Sequence, residues 1–243
     1  LNVDGKRQVW VMDADGGEAC MVSAATAGVS DYTWSPDSRK LVMCCDVDPV
    51  VNEECLVDGM PQVTVVQRIR YRYDALGWRG DAHTHLFVLD VDFHDPRPGI
   101  QITDGDWDDL SPVWSPDGSK IAFISGRGED RDSRDLAQIY VVSSDGGEPA
   151  MWSEGLTSVG AVAWEPNGKR LAVIGTQEAD GMVLWQGWLY VTEPGQEPRQ
   201  LTDDSIKPQR VFPALGRPSG LHWTDEDSIL FLGESRGESY LFQ

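Results

Sequence analysis

The stretch GESRG, residues 233–237, matches the G-x-S-x-G pattern in which a sharp turn presents a nucleophilic serine. Such a nucleophile elbow needs a strand before the serine and a helix directly after it. SILFL precedes Ser235 as a strand would, but ESYLFQ follows it with the pattern of another strand. No sequence pattern ties any of the four histidines to Ser235 as a general base. We therefore interpret Ser235 as a hairpin residue and predict no catalytic residue in this chain.

Two further groups of side chains could bind a metal ion. The run DGDWDD, Asp104 to Asp109, alternates carboxylates like the start of a calcium loop, but lacks the glycine and glutamate that complete such a loop. His83 and His85 would share one face of a strand, yet no third ligand can be identified. The sequence therefore predicts no metal site and no cofactor.

The segment from Asp46 to Gly80 carries the densest set of groups that could hold a peptide. Long insertions between rigid strands commonly carry binding residues. The candidates for contact with the carboxylate or amine of a peptide are Arg68, Arg70, Tyr71, Arg72, Tyr73 and Asp74. An equally good interpretation is an extra strand pair that docks on another domain.

A fourfold repeat must position all of these groups. Its tryptophans are 80, 50 and 59 residues apart, a spacing typical of propellers and solenoids, with an insertion at 46–84 in the first interval. The repeat residues are Trp34, Trp114, Trp164 and Trp223, with Pro36, Pro116, Pro166, Asp117, Gly118 and Gly168 in the turns. We expect the tryptophans to pack between blades, and Ser38 and Asp227 to strain the turns where the other repeats have glycine.

Each repeat contains the pattern of four strands. A strand ends at the tryptophan, a Pro-Asp-Gly turn follows, and then come strands such as KIAFIS, QIYVVS and the short QIT. The pattern predicts an all-β fold, a β-propeller of four-stranded antiparallel blades that is incomplete at both ends. We expect residues 1–243 to form about three complete blades and two partial ones, with open blade edges that could support self-association.

Composition limits the possible partners and surroundings. Forty acidic residues against 20 basic ones give a net charge of −20, which disfavours nucleic acid and anionic membranes. No apolar run is long enough to span a membrane, and the first residues lack a signal-peptide pattern. Cys44 and Cys45 are adjacent and would point to opposite faces of a strand, so we interpret the cysteines as reduced thiols of a cytoplasmic protein.

Together these motifs resemble the N-terminal propeller of prolyl-oligopeptidase-family serine peptidases, in the acylaminoacyl-peptidase and dipeptidyl-peptidase branch. The resemblance rests on QITDGDWDDLSPVWSPDGSKIAFISGRGEDRD with QIYVVSSDGGEP, and on RIRYRYDALGWRGDAHTHLFVLDV before them. It implies a lid that admits only short peptides to an α/β-hydrolase domain. That domain is expected downstream and is absent from this chain, so the chain alone should be inactive.

Two other functions remain open at the level of sequence. A TolB-like propeller that binds protein partners has a similar Trp-Ser-Pro-Asp-Gly repeat. A metal-dependent propeller enzyme is the second alternative.

Overall fold

The fold was analysed in a computed structural model, which describes residues 2–47, 69, 71–73, 77–134, 136–178, 187–209, 220–225 and 227–243. Every regular element within these ranges is a β-strand, which confirms the prediction of an all-β fold. The described part of the chain contains no helix that is long and apolar enough to cross a membrane.

The first strands of the chain form two short pairs. The pairs are β1 (Asn2–Val3) with β2 (Lys6–Arg7), and β3 (Trp10–Val11) with β4 (Cys20–Met21). The first four-stranded sheet is next along the chain, and a small hairpin lies between its second and third strands. In chain order these strands are β5 (Asp31–Trp34), β6 (Lys40–Val47), the hairpin β7 (Arg72–Tyr73) and β8 (Gly77–Trp78), β9 (His83–Asp90) and β10 (Ile100–Gln101).

Two regular four-stranded antiparallel sheets follow. One contains β11 (Asp109–Trp114), β12 (Lys120–Ser125), β13 (Gln138–Ser143) and β14 (Ala150–Met151). The other contains β15 (Ser158–Trp164), β16 (Leu171–Thr176), β17 (Trp188–Thr192) and β18 (Arg199–Gln200). The last sheet has β19 (Lys207–Pro208) and β20 (Leu221–Trp223) along one edge of β21 (Ile229–Ser235), with β22 (Glu238–Phe242) along the other. We number these four sheets blades 1 to 4.

The turn after each repeat tryptophan is held by a local hydrogen-bond pattern. In blade 2 the hydroxyl of Ser115 donates to Asp117 and accepts from the backbone N–H of Lys120, at 2.6 and 2.9 Å. Pro116 supplies the fixed φ of the turn, and Gly118 has φ of +71°. The hydrogen bond from Ser115 holds the pKa of Asp117 at about 2, so this carboxylate is charged at all ordinary pH values.

Blade 1 repeats this turn and blade 3 replaces it. Ser35 and Asp37 have the same contacts as their counterparts in blade 2, but Ser38 stands at the glycine position with φ of +58°, a conformation that costs energy for any residue but glycine. In blade 3, Glu165 takes the place of the serine. Its fully buried carboxylate accepts hydrogen bonds from the guanidinium of Arg170.

The short fourth strand is fastened to the third by a side-chain hydroxyl. The hydroxyls of Thr103, Ser153 and Thr202 each accept a backbone N–H from the third strand of their own blade, at 2.9 Å in all three cases. Two-residue strands have few ladder hydrogen bonds of their own. These hydroxyl contacts therefore fix the outer edge of blades 1 to 3.

The blades stack side by side through apolar faces, and their first strands lie next to one another, β5 beside β11, β11 beside β15, and β15 beside β20. A hydrogen bond joins each neighbouring pair of these strands. The indole N–H groups of Trp114, Trp164 and Trp223 donate to the backbone carbonyls of Thr33, Val113 and Ala163, at 3.2, 3.0 and 3.2 Å. Each acceptor is the residue just before the tryptophan of the preceding blade, so the repeat tryptophans occupy equivalent places.

In blades 2 and 3 the first strand departs from a regular ladder shortly before the repeat tryptophan. β11 has an irregularity between Leu110 and Val113, and β15 has one between Val159 and Ala161. In blade 4 the corresponding edge is divided into β19 and β20, and residues 209–220 lie between them in the sequence. A bulge adds one residue without ending the strand.

Candidate functional site

Half of the six predicted peptide-contact residues lie outside the described part of the chain. This holds for Arg68, Arg70 and Asp74, whereas Tyr71 and Arg72 are described and are exposed. Arg72 and Tyr73 form the first strand of the β7–β8 hairpin. Their contact with a peptide remains a prediction.

A network of charged groups lies where this insertion returns to blade 1. It joins residues 77–85, residues 104–109 and the loop from residue 126 to 134, and we call it the insertion-root network. At its start, Arg79 donates to Asp46 at 2.8 Å, to Thr84 at 2.9 Å and to Asp108 at 3.2 Å. One guanidinium therefore holds together the point where the chain leaves β6, the start of β9, and the loop that leads into blade 2.

His83 lies between two carboxylates of that loop. Its Nε2 is 3.1 Å from Asp106 and its Nδ1 is 3.8 Å from Asp108. The nearby Asp108 carboxylate raises the pKa of His83, although partial burial opposes this effect. Burial alone would raise the pKa of Asp108, but His83 and Arg79 outweigh burial and lower this pKa to about 2. The pair therefore attracts most strongly while His83 is protonated.

A buried carboxylate next to this network joins blades 1 and 2. The Asp109 side chain is fully buried, and it accepts from Arg127 at 2.9 Å while Nδ1 of His85 lies 3.2 Å away. The guanidinium of Arg127 also lies over the rings of Tyr140 and Trp107, at 4.3 and 4.8 Å from their centroids. Removal of either charged partner would leave a buried charge uncompensated.

These contacts account for most of the run that resembles a calcium loop. Asp106 binds Arg131 and His83, Asp108 binds Arg79, and Asp109 binds Arg127. The carboxylates thus face separate cationic partners instead of converging on one point. Among the described residues, no group of three or more histidine, cysteine, aspartate or glutamate side chains could hold a metal ion.

Two side chains that could serve as nucleophiles are not activated. Cys45 is directly opposite His85 in the β6–β9 ladder, but burial first and the Asp46 charge second raise the pKa of its thiol to about 12. Ser235 ends β21, its hydroxyl donates to the carbonyl of Ser205 at 2.9 Å, and β22 follows after a tight turn. The local structure around Ser235 is strand, turn and strand, not the strand and helix of a nucleophile elbow.

Sequence patterns alone did not identify the insertion-root network. Arg79 and Asp46 are far apart in the sequence, and Arg127 belongs to a loop of mixed charge that is typical of solvated surface. A usable signal was present in the alternating acids of residues 104–109, because acids just before a buried strand need cationic partners from neighbouring loops.

Comparison with known proteins places the fold among peptidases. No family model matches the chain. The uncharacterized peptidase YuxL of Bacillus subtilis (strain 168) is 25% identical over 138 residues, which are 56% of this chain and 20% of YuxL.

Solved structures match over nearly the whole chain. An acylaminoacyl peptidase in complex with Z-Gly-Gly-Phe-chloromethyl ketone has a TM-score of 0.66 and 18% identity, over 97% of this chain and 33% of that protein. A puromycin-hydrolyzing peptidase of Mycobacterium tuberculosis has a TM-score of 0.65 and 17% identity, over 97% of this chain and 33% of the peptidase. The chain thus spans about a third of the length of these peptidases. The resemblance to propellers of this peptidase group is confirmed at the level of the fold.

Proposed function

We propose that this chain is the propeller part of a prolyl-oligopeptidase-family serine peptidase, in the branch of acylaminoacyl and dipeptidyl peptidases. In this proposal an α/β-hydrolase domain of the same polypeptide cleaves the substrate, and the propeller limits access to short peptides. One observation carries the proposal. The similar peptidases align with 97% of this chain but with only a third of their own length, as expected if the chain is the propeller part of an enzyme of that kind.

The blades suit the role of a size filter. Neighbouring blades are joined by buried apolar faces and by the indole hydrogen bonds of Trp114, Trp164 and Trp223, and these contacts would favour a rigid framework across blades 1 to 4. A rigid framework can hold loops at fixed positions, as binding loops require. We propose that the insertion after β6, which Arg79 anchors at its root, faces the hydrolase domain and contacts either that domain or the peptide.

We further propose that the protein works in the cytoplasm. Cys20, Cys44 and Cys45 are free thiols, as expected where disulfides are kept reduced. The excess of acidic residues also suits a peptide-hydrolysing protein that binds neither nucleic acid nor anionic membranes.

The test is the activity of the polypeptide translated from the complete reading frame that contains this sequence. We expect it to hydrolyse N-acyl-peptide or dipeptidyl p-nitroanilides, to leave full-length casein intact because of its length, and to react with a fluorophosphonate probe at a serine outside residues 1–243. Absence of a reactive serine outside this range, or equal cleavage of short peptides and full-length casein, would rule out the size-filter proposal.

A further inference from the structure

A cavity of about 290 Å³ lies beside the insertion-root network, at the end of blade 1. It could hold several water-sized groups, since water occupies about 30 Å³ per molecule. The polar groups that line it include the side chains of His83, His85, Gln101, Asp104 and Asp106. Neither the predicted peptide contacts nor the proposed size filter uses this cavity.

His85 gives the cavity a hydrogen-bond acceptor with a fixed orientation. Its side chain is only 4% exposed, and Nδ1 lies 3.2 Å from the fully buried carboxylate of Asp109. Because a carboxylate accepts only, Nδ1 carries the proton, and in the neutral ring Nε2 is then an acceptor. Arg127 already balances the charge of Asp109. No described residue forms a hydrogen bond with Nε2.

The other polar groups also offer acceptors. The amide Nε2 of Gln101 donates to the carbonyl of Thr103 at 2.8 Å, which leaves Oε1 of Gln101 to accept. Asp104 contributes a carboxylate at the exposed rim. Asp106 contributes another, which is shared with His83 and Arg131. A ligand that satisfies these groups must carry several N–H donors and a positive charge.

Two other classes of ligand fit less well. An anion would meet the carboxylates of Asp104 and Asp106, and the described residues that line the cavity include no lysine or arginine. A metal ion would need at least three suitable ligands in one place, and the described residues contain no such group. A primary ammonium group has three donors, a full charge and no acceptor.

We propose that this cavity binds a primary ammonium group on a short aliphatic stem, with His85, Gln101 and Asp104 as acceptors. The stem would lie along Val47, which lines the same cavity. An amino terminus or a lysine side chain of a peptide has this chemistry. The proposal does not depend on the peptidase function, because the site is formed by blade 1 and the loop that follows it.

The test is an NMR titration of the 243-residue chain with n-butylammonium chloride. The imidazole resonances of His85 report binding, and n-butanol serves as a neutral ligand with the same stem. We expect a saturable shift at His85 with butylammonium, and binding of the neutral alcohol weaker by at least about tenfold, because the charge-assisted hydrogen bonds are lost. Equal binding of both compounds, or a shift that never saturates, would overturn the proposal.

Variants locate the site. Asp104 lies at the exposed rim, so Asp104→Asn should fold normally and weaken butylammonium binding about tenfold. Gln101→Met should weaken it severalfold by removing one acceptor. The matched control is His94→Gln, at an exposed histidine outside the cavity, which should leave the affinity unchanged. Unchanged binding in Asp104→Asn, or displacement of butylammonium by Zn²⁺ held at His85, would show that the cavity is not an ammonium site.

Discussion

The indole N–H of Trp164 donates to the backbone carbonyl of Val113, 3.0 Å away in the preceding blade. Trp164→Phe keeps an aromatic ring but removes this donor, so the hydrogen bond between the two blades is lost. We expect a loss of about 1 to 2 kcal/mol in the free energy of unfolding, measured by urea denaturation at unchanged m-value.

Trp34→Phe is the matched control for this change. The Trp34 side chain is 37% exposed, and its indole has no hydrogen-bond acceptor among the described residues. We expect a loss well below that of Trp164→Phe. Equal losses at the two positions would mean that the hydrogen bond between blades contributes nothing beyond packing.

The turns of blades 1 and 2 predict a pair of opposite effects. Ser38 has φ of +58°, whereas Gly118 holds the equivalent place with φ of +71°. Ser38→Gly should raise the unfolding free energy by up to about 1 kcal/mol, and Gly118→Ser should lower it by about the same amount. A Cβ at Gly118 would lie 3.8 Å from Pro36, an ordinary contact, so only the backbone conformation is tested. Shifts of the same sign in urea denaturation would contradict this account.

The turn of blade 3 predicts strong coupling between two residues. Arg170→Ala would leave the fully buried carboxylate of Glu165 without its partner and should cost about 2 kcal/mol. The triple change Glu165→Ser, Asn167→Asp and Arg170→Lys recreates the turn of blade 2 and should restore most of this loss. Thermal denaturation of the three proteins measures the effect. If the triple variant is no more stable than Arg170→Ala, the turns are not interchangeable.

The pair of His83 and Asp108 predicts a pH dependence of stability. Because the folded-state pKa of His83 is raised, its contribution is fully present below the ordinary histidine value of about 6.5 and is lost as the pH rises through the folded value. The difference in unfolding free energy between the parent chain and His83→Gln should therefore shrink from about pH 6 to about pH 8.

At low pH the carboxylate of Asp108 adds a second pH dependence to the free energy of unfolding. Its folded pKa of about 2 is lower than the ordinary value of 3.8, so its contribution is present above 3.8 and is lost as the pH falls towards 2. Urea denaturation across this range measures both effects, and His94→Gln provides a control at an exposed histidine. A His83→Gln difference that is constant from pH 6 to 8 would show that this histidine does not stabilise the fold through its charge.

The last prediction concerns catalysis by the chain alone. We expect the 243-residue chain to hydrolyse no acyl-peptide, dipeptidyl or p-nitrophenyl ester substrate, because the Ser235 hydroxyl lies between two strands and donates to Ser205. A fluorophosphonate probe should leave Ser235 unlabelled, and Ser235→Ala should change nothing. Stoichiometric labelling of Ser235 would make the G-x-S-x-G match a true active site.

The sequence predicted the blades because their signals are local. Pro116, Asp117 and Gly118 encode a turn within five residues, and the alternation in KIAFIS encodes the strand that follows. The acceptor of each indole could not be predicted, because Trp164 and Val113 are 51 residues apart and meet only when blades stack. The contacts of Arg79 with Asp46 and Asp108 could not be predicted either, because ion pairs between distant residues leave no periodic pattern in the sequence.

The irregular level of the first strands has a consequence for how the length of this chain can vary. β11 has one extra residue near Ser111 and β15 has one at Gly160, and in blade 4 residues 209–220 lie in the sequence between β19 and β20, which pair with the same strand, β21. The hydrogen-bonded ladder resumes on the far side in every case, with each repeat tryptophan still opposite its partner in the second strand. We therefore expect that this part of the first strand tolerates insertions. Related proteins could gain or lose residues there, and a reporter peptide could be inserted there, without displacement of the blades.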